Sequence, residues 1–254
     1  MTRTLRLGIQ IGAVAAFFGI WKAYVELFNV SRLVLPAPEE VLFAFLRLFT
    51  SGEVWPHLYV TTVEFTVGFV LACAFGIITG MALGRNAWLD VTFKPFVIAL
   101  QVTPKVALIP LFILWFGFGL ESKIIVSAVI GFFPVFANTY LGARSVDRGM
   151  LELFEVGGAS RWRRFVKLIL PSSMPYILTG MEMAIVLCII GAVVAEFLAG
   201  SRGLGYLATI KLQELQVDSL FGVVIVLAMI GFVLYFLVGS LRKAVIPWHE
   251  SSST

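Results

Sequence analysis

Ionisable side chains are scarce in this 254-residue chain: 13% of its residues are charged, against roughly 25% in soluble domains. Hydrophobic residues make up 59% and the mean hydropathy is +0.97, which excludes an ordinary water-soluble fold. Histidine occurs only twice, as His57 and His249, far apart in the chain. There is no H-E-x-x-H run and no pair of carboxylates at metal-ligand spacing, so nothing suggests a metal site or a catalytic centre. Cysteine also occurs twice, and Cys73 and Cys188 both lie inside apolar runs. Buried, inert thiols are expected there, not a disulfide or a metal pair. The phosphate-cradling run G-x-x-x-x-G-K-[ST] is missing too, so the chain has no ATP site of the P-loop kind and is not itself an ATPase. Strand-period alternation is absent, which argues against an outer-membrane barrel. The formal charge of +4 is no nucleic-acid signal, because the basic residues cluster beside apolar runs.

What is present is apolar length. A helix needs about 20 apolar residues to cross a bilayer, and six such spans fit: 7–28, 58–83, 96–117, 122–141, 174–198 and 220–241. The chain is expected to be an all-α polytopic membrane protein embedded in the lipid bilayer. Its basic, apolar start is read as a first membrane helix and not as a cleaved signal, since no small-residue cleavage site follows. The third span is interrupted by Pro95, Pro104 and Pro110. With the N-terminus inside, twelve Lys and Arg residues fall on the cytoplasmic side against five outside. The positive-inside rule therefore places both termini in the cytoplasm.

Two segments assigned to the outer side are more than turns. "LPAPEEVLFAFLRLFTSG" carries Val41, Leu42, Phe45, Leu46 and Phe49 at helical spacing and reads as an interfacial or docking helix. "GSRGLGYLATIKLQELQ" places glycines before a short amphipathic turn. Each either caps the outer mouth or lies on the lipid surface.

On the cytoplasmic side, "LELFEVGGASRWRRFVKLILPSSMP" inserts Arg161, Arg163, Arg164 and Lys167 between membrane spans. Residues 147–156 suit a helix with Met150, Leu151 and Phe154 on one face. Gly157 and Gly158 break or bend it, since paired glycines weaken a helix and permit close backbone approach. Ser160 is placed to cap a second helix carrying Trp162, Phe165 and Ile169, which Pro171 and Pro175 are expected to end. Such an elbow either docks on a partner or lies on anionic lipid; the two-glycine bend between two helices favours docking.

Four ionisable residues fall within the spans: Glu64, Lys105, Glu182 and Glu196. Facing lipid would cost each about 2.5–3.5 kcal/mol on insertion scales. Lys105 sits between Pro104 and Pro110, and unwound backbone at membrane depth needs cover by protein or water. "QVTPKVALIP" is therefore the candidate pore lining, with Lys105 attracting an anion, snorkelling to the interface or pairing with Glu182 or Glu64. Glu196, near the outer end of its span, is a candidate to meet a delivered solute or a docking partner; Glu64 and Glu182 suit helix packing. Gly76, Gly80 and Gly84 form a smooth stripe on span two, suited to internal packing or to contact between two copies.

The segment 151–175 resembles the EAA loop of ABC importer permeases. Glu152, Gly158, Leu170 and Pro171 occupy the matching positions, and Leu153 and Phe154 stand where that pattern has alanines. "GASRWRRF" and "LPSSMPYILTGMEMA" are similar to the branch that imports sulfonates, taurine, nitrate and thiamine-precursor pyrimidines. "LPAPEEV", "ALIPLFILWFGFG", "FFPVFANTYLGARSVD" and "VVAEFLAGSRGLGYL" extend the likeness over nearly the whole chain. The resemblance implies a type I ABC permease core over 57–243. An N-terminal helix and outer amphipathic segment (1–56) would precede it, and a cytoplasmic tail (244–254) would follow. It implies a bacterial inner membrane and a second, identical permease copy. It also implies an external substrate-binding protein and two P-loop ATPase subunits that carry ATP and Mg. The coupling loop would comprise Glu152, Phe154, Gly157, Gly158, Ala159, Arg161, Leu170 and Pro171. ATP binding would draw two such loops together and turn the pore outward, and the ATPase groove would have to accommodate Phe154. Pro104, Lys105, Pro110, Glu182 and Glu196 remain the pathway candidates. The rival reading, a secondary transporter or channel without ATP, predicts internal repeats, and none is evident around one long asymmetric loop. A non-transporting scaffold would leave the broken third span unexplained.

Overall fold

The computed structural model describes residues 3–245, and every regular element among them is helical. In chain order these are α1 (Arg3–Leu27), α2 (Pro38–Thr50), α3 (Val54–Arg85), α4 (Ala87–Val102) and α5 (Ile109–Phe116). They continue with α6 (Leu120–Arg144), α7 (Arg148–Val156), α8 (Arg161–Arg164), α9 (Leu170–Ala199), α10 (Leu204–Gln213) and α11 (Val217–Val245). Five stretches are long and apolar enough to cross a membrane: Gly8–Leu27, Val54–Arg85, Leu120–Arg144, Arg161–Ala199 and Val217–Ser240. Each overlies one of the expected spans. His249 and most of the expected tail lie outside the described residues.

The third expected span is different. It is two helices, α4 and α5, bent by 86° across a tight turn at Lys105–Leu108. Asn86 starts α4 by accepting the N–H groups of Trp88 and Leu89 at 3.0 and 3.3 Å, so the segment begins before residue 96. Pro95 lies inside α4 and does not interrupt it, contrary to expectation. The break comes at Thr103, extended at ψ 131°, because Pro104 disfavours helical geometry in the residue before it. Pro110 then falls in the first turn of α5, where its missing N–H costs nothing.

The centre of the bundle is the α3–α6 seam, with α9 on its other side. Hydrophobicity does not drive helices together in lipid, so close packing must. A Cβ on Gly76 would stand 2.8 Å from that of Val135, one on Gly80 would stand 2.7 Å from the Phe136 carbonyl oxygen, and one on Gly84 would stand 2.6 Å from the Ala143 Cβ. The glycine stripe thus packs internally, and Gly68 extends it by meeting Ser127. Cys73 and Cys188 are both buried and free.

The two segments assigned to the outer side both pack on the bundle. On α2, Val41, Ala44 and Leu48 are buried and the helix packs on α11, while Leu42 and Leu46 face outward. Of the stripe read from the sequence, Val41, Phe45 and Phe49 therefore pack inward, and Ala44 and Leu48 complete the buried face. Helix α10 does not lie on a lipid surface: Leu204, Leu207 and Ala208 are buried against α9 and α11. Its Lys211 is buried too, with its ammonium 2.7 Å from Glu53.

Candidate functional site

The elbow is built by helix-capping chemistry. Asp147 accepts the N–H of Met150 at 2.9 Å and starts α7. At its other end Ala159 N–H donates to the Phe154 carbonyl at 2.9 Å, and Gly158 N–H donates to Glu155 at 3.0 Å. This is the paired 6→1 and 5→2 closure of a Schellman motif, which needs a left-handed residue. Gly158 supplies it at φ +68°, whereas Gly157 keeps an ordinary φ of −70°. Only the second glycine is conformationally required. Ser160 then accepts the N–H of Arg163 at 3.2 Å to start α8, and Arg164 pairs with Glu155 at 3.2 Å across the bend.

Helix α8 does not end at Pro171 or Pro175. It runs through a wide turn, Phe165–Ile169, directly into α9, and Leu170 N–H donates to the Phe165 carbonyl. The wider turn accommodates the proline ring that follows at Pro171. The elbow and the fifth span are thus one continuous lever.

Phe154 and Leu151 turn inward and pack on the bundle beside Met81, Ala143 and Ile169. Phe154 is half-buried against this cluster. The outward face carries Leu153, Val156 at 88% exposure and Trp162 at 73%, among the exposed Glu152, Arg161 and Arg163. Ala159 is half-buried in the bend.

The broken helix pair shapes a second feature. A cavity of about 570 Å³ lies between α3, α6 and the α4–α5 break, walled by Leu71, Phe75, Phe112, Phe132 and Phe133. Lys105 is the charged residue in its wall. Its ammonium donates to the Gln101 carbonyl at 2.9 Å and sits 4.3 Å from the centre of the Phe133 ring. Pro104 and Pro110 are exposed and set the bend rather than the cavity wall.

Of the alternatives for Lys105, pairing with Glu182 or Glu64 does not occur. Glu182 is ion-paired with Arg242 at 3.1 Å, joining α9 to α11, and the cation nearest Glu64 is Lys123 at 3.8 Å. Glu196 is 1% exposed, so it does not meet a solute or partner at the surface. It accepts from Thr61 at 2.6 Å and from Gly205 N–H at 2.5 Å. Thr61, Lys123, Gly203 and Gly205 were not singled out from sequence. The available signal was the glycine spacing in "GSRGLGYL", since a Cβ at Gly203 or Gly205 would collide with the Glu196 carboxylate. Among the described residues no group of three or more His, Cys, Asp or Glu could hold a metal ion.

Residues 72–249 match the family described as binding-protein-dependent transport system inner membrane component. The chain is 33% identical over 237 residues to a Bacillus subtilis permease protein named for aliphatic sulfonates transport, covering 93% of this chain and 86% of that protein. It is 36% identical over 231 residues to the riboflavin transport system permease protein of Chloroflexus aurantiacus, with coverages of 91% and 86%. An inward-facing structure of the MetNI methionine ABC transporter superposes with a TM-score of 0.60 at 20% identity, covering 76% of this chain and 94% of that one. The last likeness is one of fold.

Proposed function

The chain belongs to the family of binding-protein-dependent transport system inner membrane components, and we propose that it works as a pair of identical copies driven through the α7–α8 elbow. As a member of that family it is the membrane permease subunit of an ABC importer. The ATPase is a separate subunit, and a binding protein is a further partner.

The observation that carries the elbow reading is its apolar outward face. Leu153, Val156 and Trp162 stand out from a segment that is capped at both ends and braced by Arg164. A rigid turn with apolar side chains outward, ringed by Glu152, Arg161 and Arg163, suits a protein groove. ATP and Mg bind on the partner, and the force enters at α7–α8. It passes along the wide turn into α9, which packs on α6, and α6 lines the cavity through Phe132 and Phe133. The elbow end carries Arg85, Arg144 and the 161–167 cluster, so both termini lie in the cytoplasm by the positive-inside rule.

The cavity accounts for the solute. Its walls are almost wholly apolar around one ammonium, a combination that suits a small organic anion with an apolar body. Aliphatic sulfonates, the solutes in one relative's name, are of this type. The riboflavin of the other name shares the apolar, stackable body but makes less use of Lys105.

The test is uptake into liposomes holding the chain with its ATPase, with the binding protein outside. Labelled alkanesulfonate should accumulate only with ATP inside. Lys105→Ala should lower uptake at least about tenfold, the worth of one charge-assisted contact, and Lys105→Arg should retain part of it. Accumulation by the chain alone, without ATPase or ATP, would instead establish the ATP-independent transporter reading.

A further inference from the structure

Where the elbow meets the bundle, a cavity of about 500 Å³ opens between the last turns of α3 and the wide turn that joins α8 to α9. Its lining is apolar apart from two residues, with Ile77 and Met81 contributed by α3 and Ile169 by the wide turn. The two exceptions are arginines: Arg85, the last residue of α3, and Arg161, the first of α8. Ile77 lies eight residues inside Arg85, about 12 Å at the helical rise of 1.5 Å per residue. Ile169 likewise lies eight residues inside Arg161. The cavity is an apolar groove that runs inward from a basic end.

The positive charge at that end is not balanced. Arg85 donates to the Ala143 carbonyl at 3.3 Å, which engages one of the five N–H donors of a guanidinium. Asp90 is held by Arg144 at 2.6 Å and Glu155 by Arg164 at 3.2 Å. Among the described residues neither Arg85 nor Arg161 forms an ion pair. The apolar groove at the other end, between α1, α2 and α11, differs here. Its ammonium, Lys22, is already paired with Glu39 at 2.9 Å.

Location narrows what can fill the groove. Its α3 wall includes Ile78, 66% exposed, within a helix long and apolar enough to cross the membrane, so the groove opens to lipid. Guanidinium groups favour phosphate oxygens through paired N–H contacts, and basic pockets between membrane helices on the cytoplasmic side hold acidic headgroups. A zwitterionic lipid would bring an ammonium of its own towards two cations, whereas phosphatidylglycerol brings none. We propose that one anionic phospholipid of the cytoplasmic leaflet occupies this groove, its phosphate on Arg85 and Arg161 and an acyl chain along Ile77, Met81 and Ile169. The basic loop then serves two partners on two faces: the outward face seats the ATPase, and the groove behind it holds lipid. Arg161, exposed and lining the groove, stands where the faces meet. A lipid at the wide turn braces the joint between the elbow and α9. The proposal rests on the cytoplasmic orientation of the elbow.

The experiment is native mass spectrometry of the full-length chain, alone and bound to its ATPase, released from vesicles of phosphatidylglycerol and phosphatidylcholine in equal amounts. The wild type should retain phosphatidylglycerol over phosphatidylcholine by roughly tenfold or more, the scale of two basic contacts at a membrane surface. Arg85→Gln with Arg161→Gln should bring the ratio close to one. Arg148→Gln, at an exposed arginine of the same end outside the groove, should leave it unchanged. Ala82→Trp, which puts a ring into the groove and keeps both arginines, should abolish retention. A wild type without the preference, or a preference that survives either groove variant, overturns the proposal. So does release of the lipid when the ATPase binds, which would mean that the partner fills the groove. A membrane-impermeant thiol reagent that labels Val156→Cys from outside intact cells would overturn the orientation, and the proposal with it. The lipid ratio is read without transport, so the two failures are distinguishable.

Discussion

The two ends of the bundle treat polar and apolar side chains in opposite ways. At the α9–α10 end, charged residues are drawn inside and bound: Glu196 by Thr61 and Gly205, Lys211 by Glu53. At the α7–α8 end, charged and apolar residues both stand outside, and Val156 and Trp162 are among the most exposed of the apolar side chains. The first end is complete within the chain, because its buried groups find nearly all their partners there. The second is rigid in backbone yet unfinished in surface. On the proposed function, that difference separates a structural clasp from a docking face, through where side chains end rather than how apolar the segments are.

The sharpest way to break the comparison is at the clasp. Lys123→Ala leaves the buried Glu64 without the cation 3.8 Å from it, which should cost about 3–5 kcal/mol. Thermal unfolding in detergent should show a large drop, with ATPase binding by the folded fraction unchanged. The elbow should respond in the opposite sense. Val156→Asp combined with Trp162→Ala should leave the melting temperature near wild type. The same pair should weaken ATPase binding by roughly 30-fold, or about 2 kcal/mol, as loss of an interface anchor does. Next comes Gly158→Val, which forces a β-branched residue into left-handed backbone at about 1–2 kcal/mol. Coupled ATP hydrolysis should fall with it, while Gly157→Ala should be nearly silent in the same assay. The smallest effect belongs to Glu155→Gln. It removes a largely exposed carboxylate from its pair with Arg164 and should change stability by less than about 1 kcal/mol.

How much of this was legible in the sequence depended on the range of the interaction responsible. Apolar length and proline position are local, so five spans and the break near Pro104 could be read from residues alone. The capping role of Ser160 was equally local. The direction of Phe154 was not, because Met81 and Ala143, which cover it, come from α3 and α6. The same holds for Thr61 and Glu196: their spacing of 135 positions carries no periodic signal, and only the meeting of α3 and α9 makes them neighbours. Pro171 misled for a different reason. Its cost as a helix breaker is absorbed by one wide turn, which leaves no mark in composition. The family likeness identified the loop, while geometry decided which of its residues face outward.

The central claim is that the elbow is the surface on which the ATPase seats, and cysteine crosslinking tests it most directly. Cys73 and Cys188 are buried, so a single Val156→Cys can be crosslinked in native membranes against low background, with Leu42→Cys at the other end as the control. The account predicts an adduct with the ATPase subunit from position 156, a yield that changes when ATP is added, and none from position 42. An ATPase that co-purifies in full amount yet forms no adduct from 156, or forms one equally from 42, would contradict it.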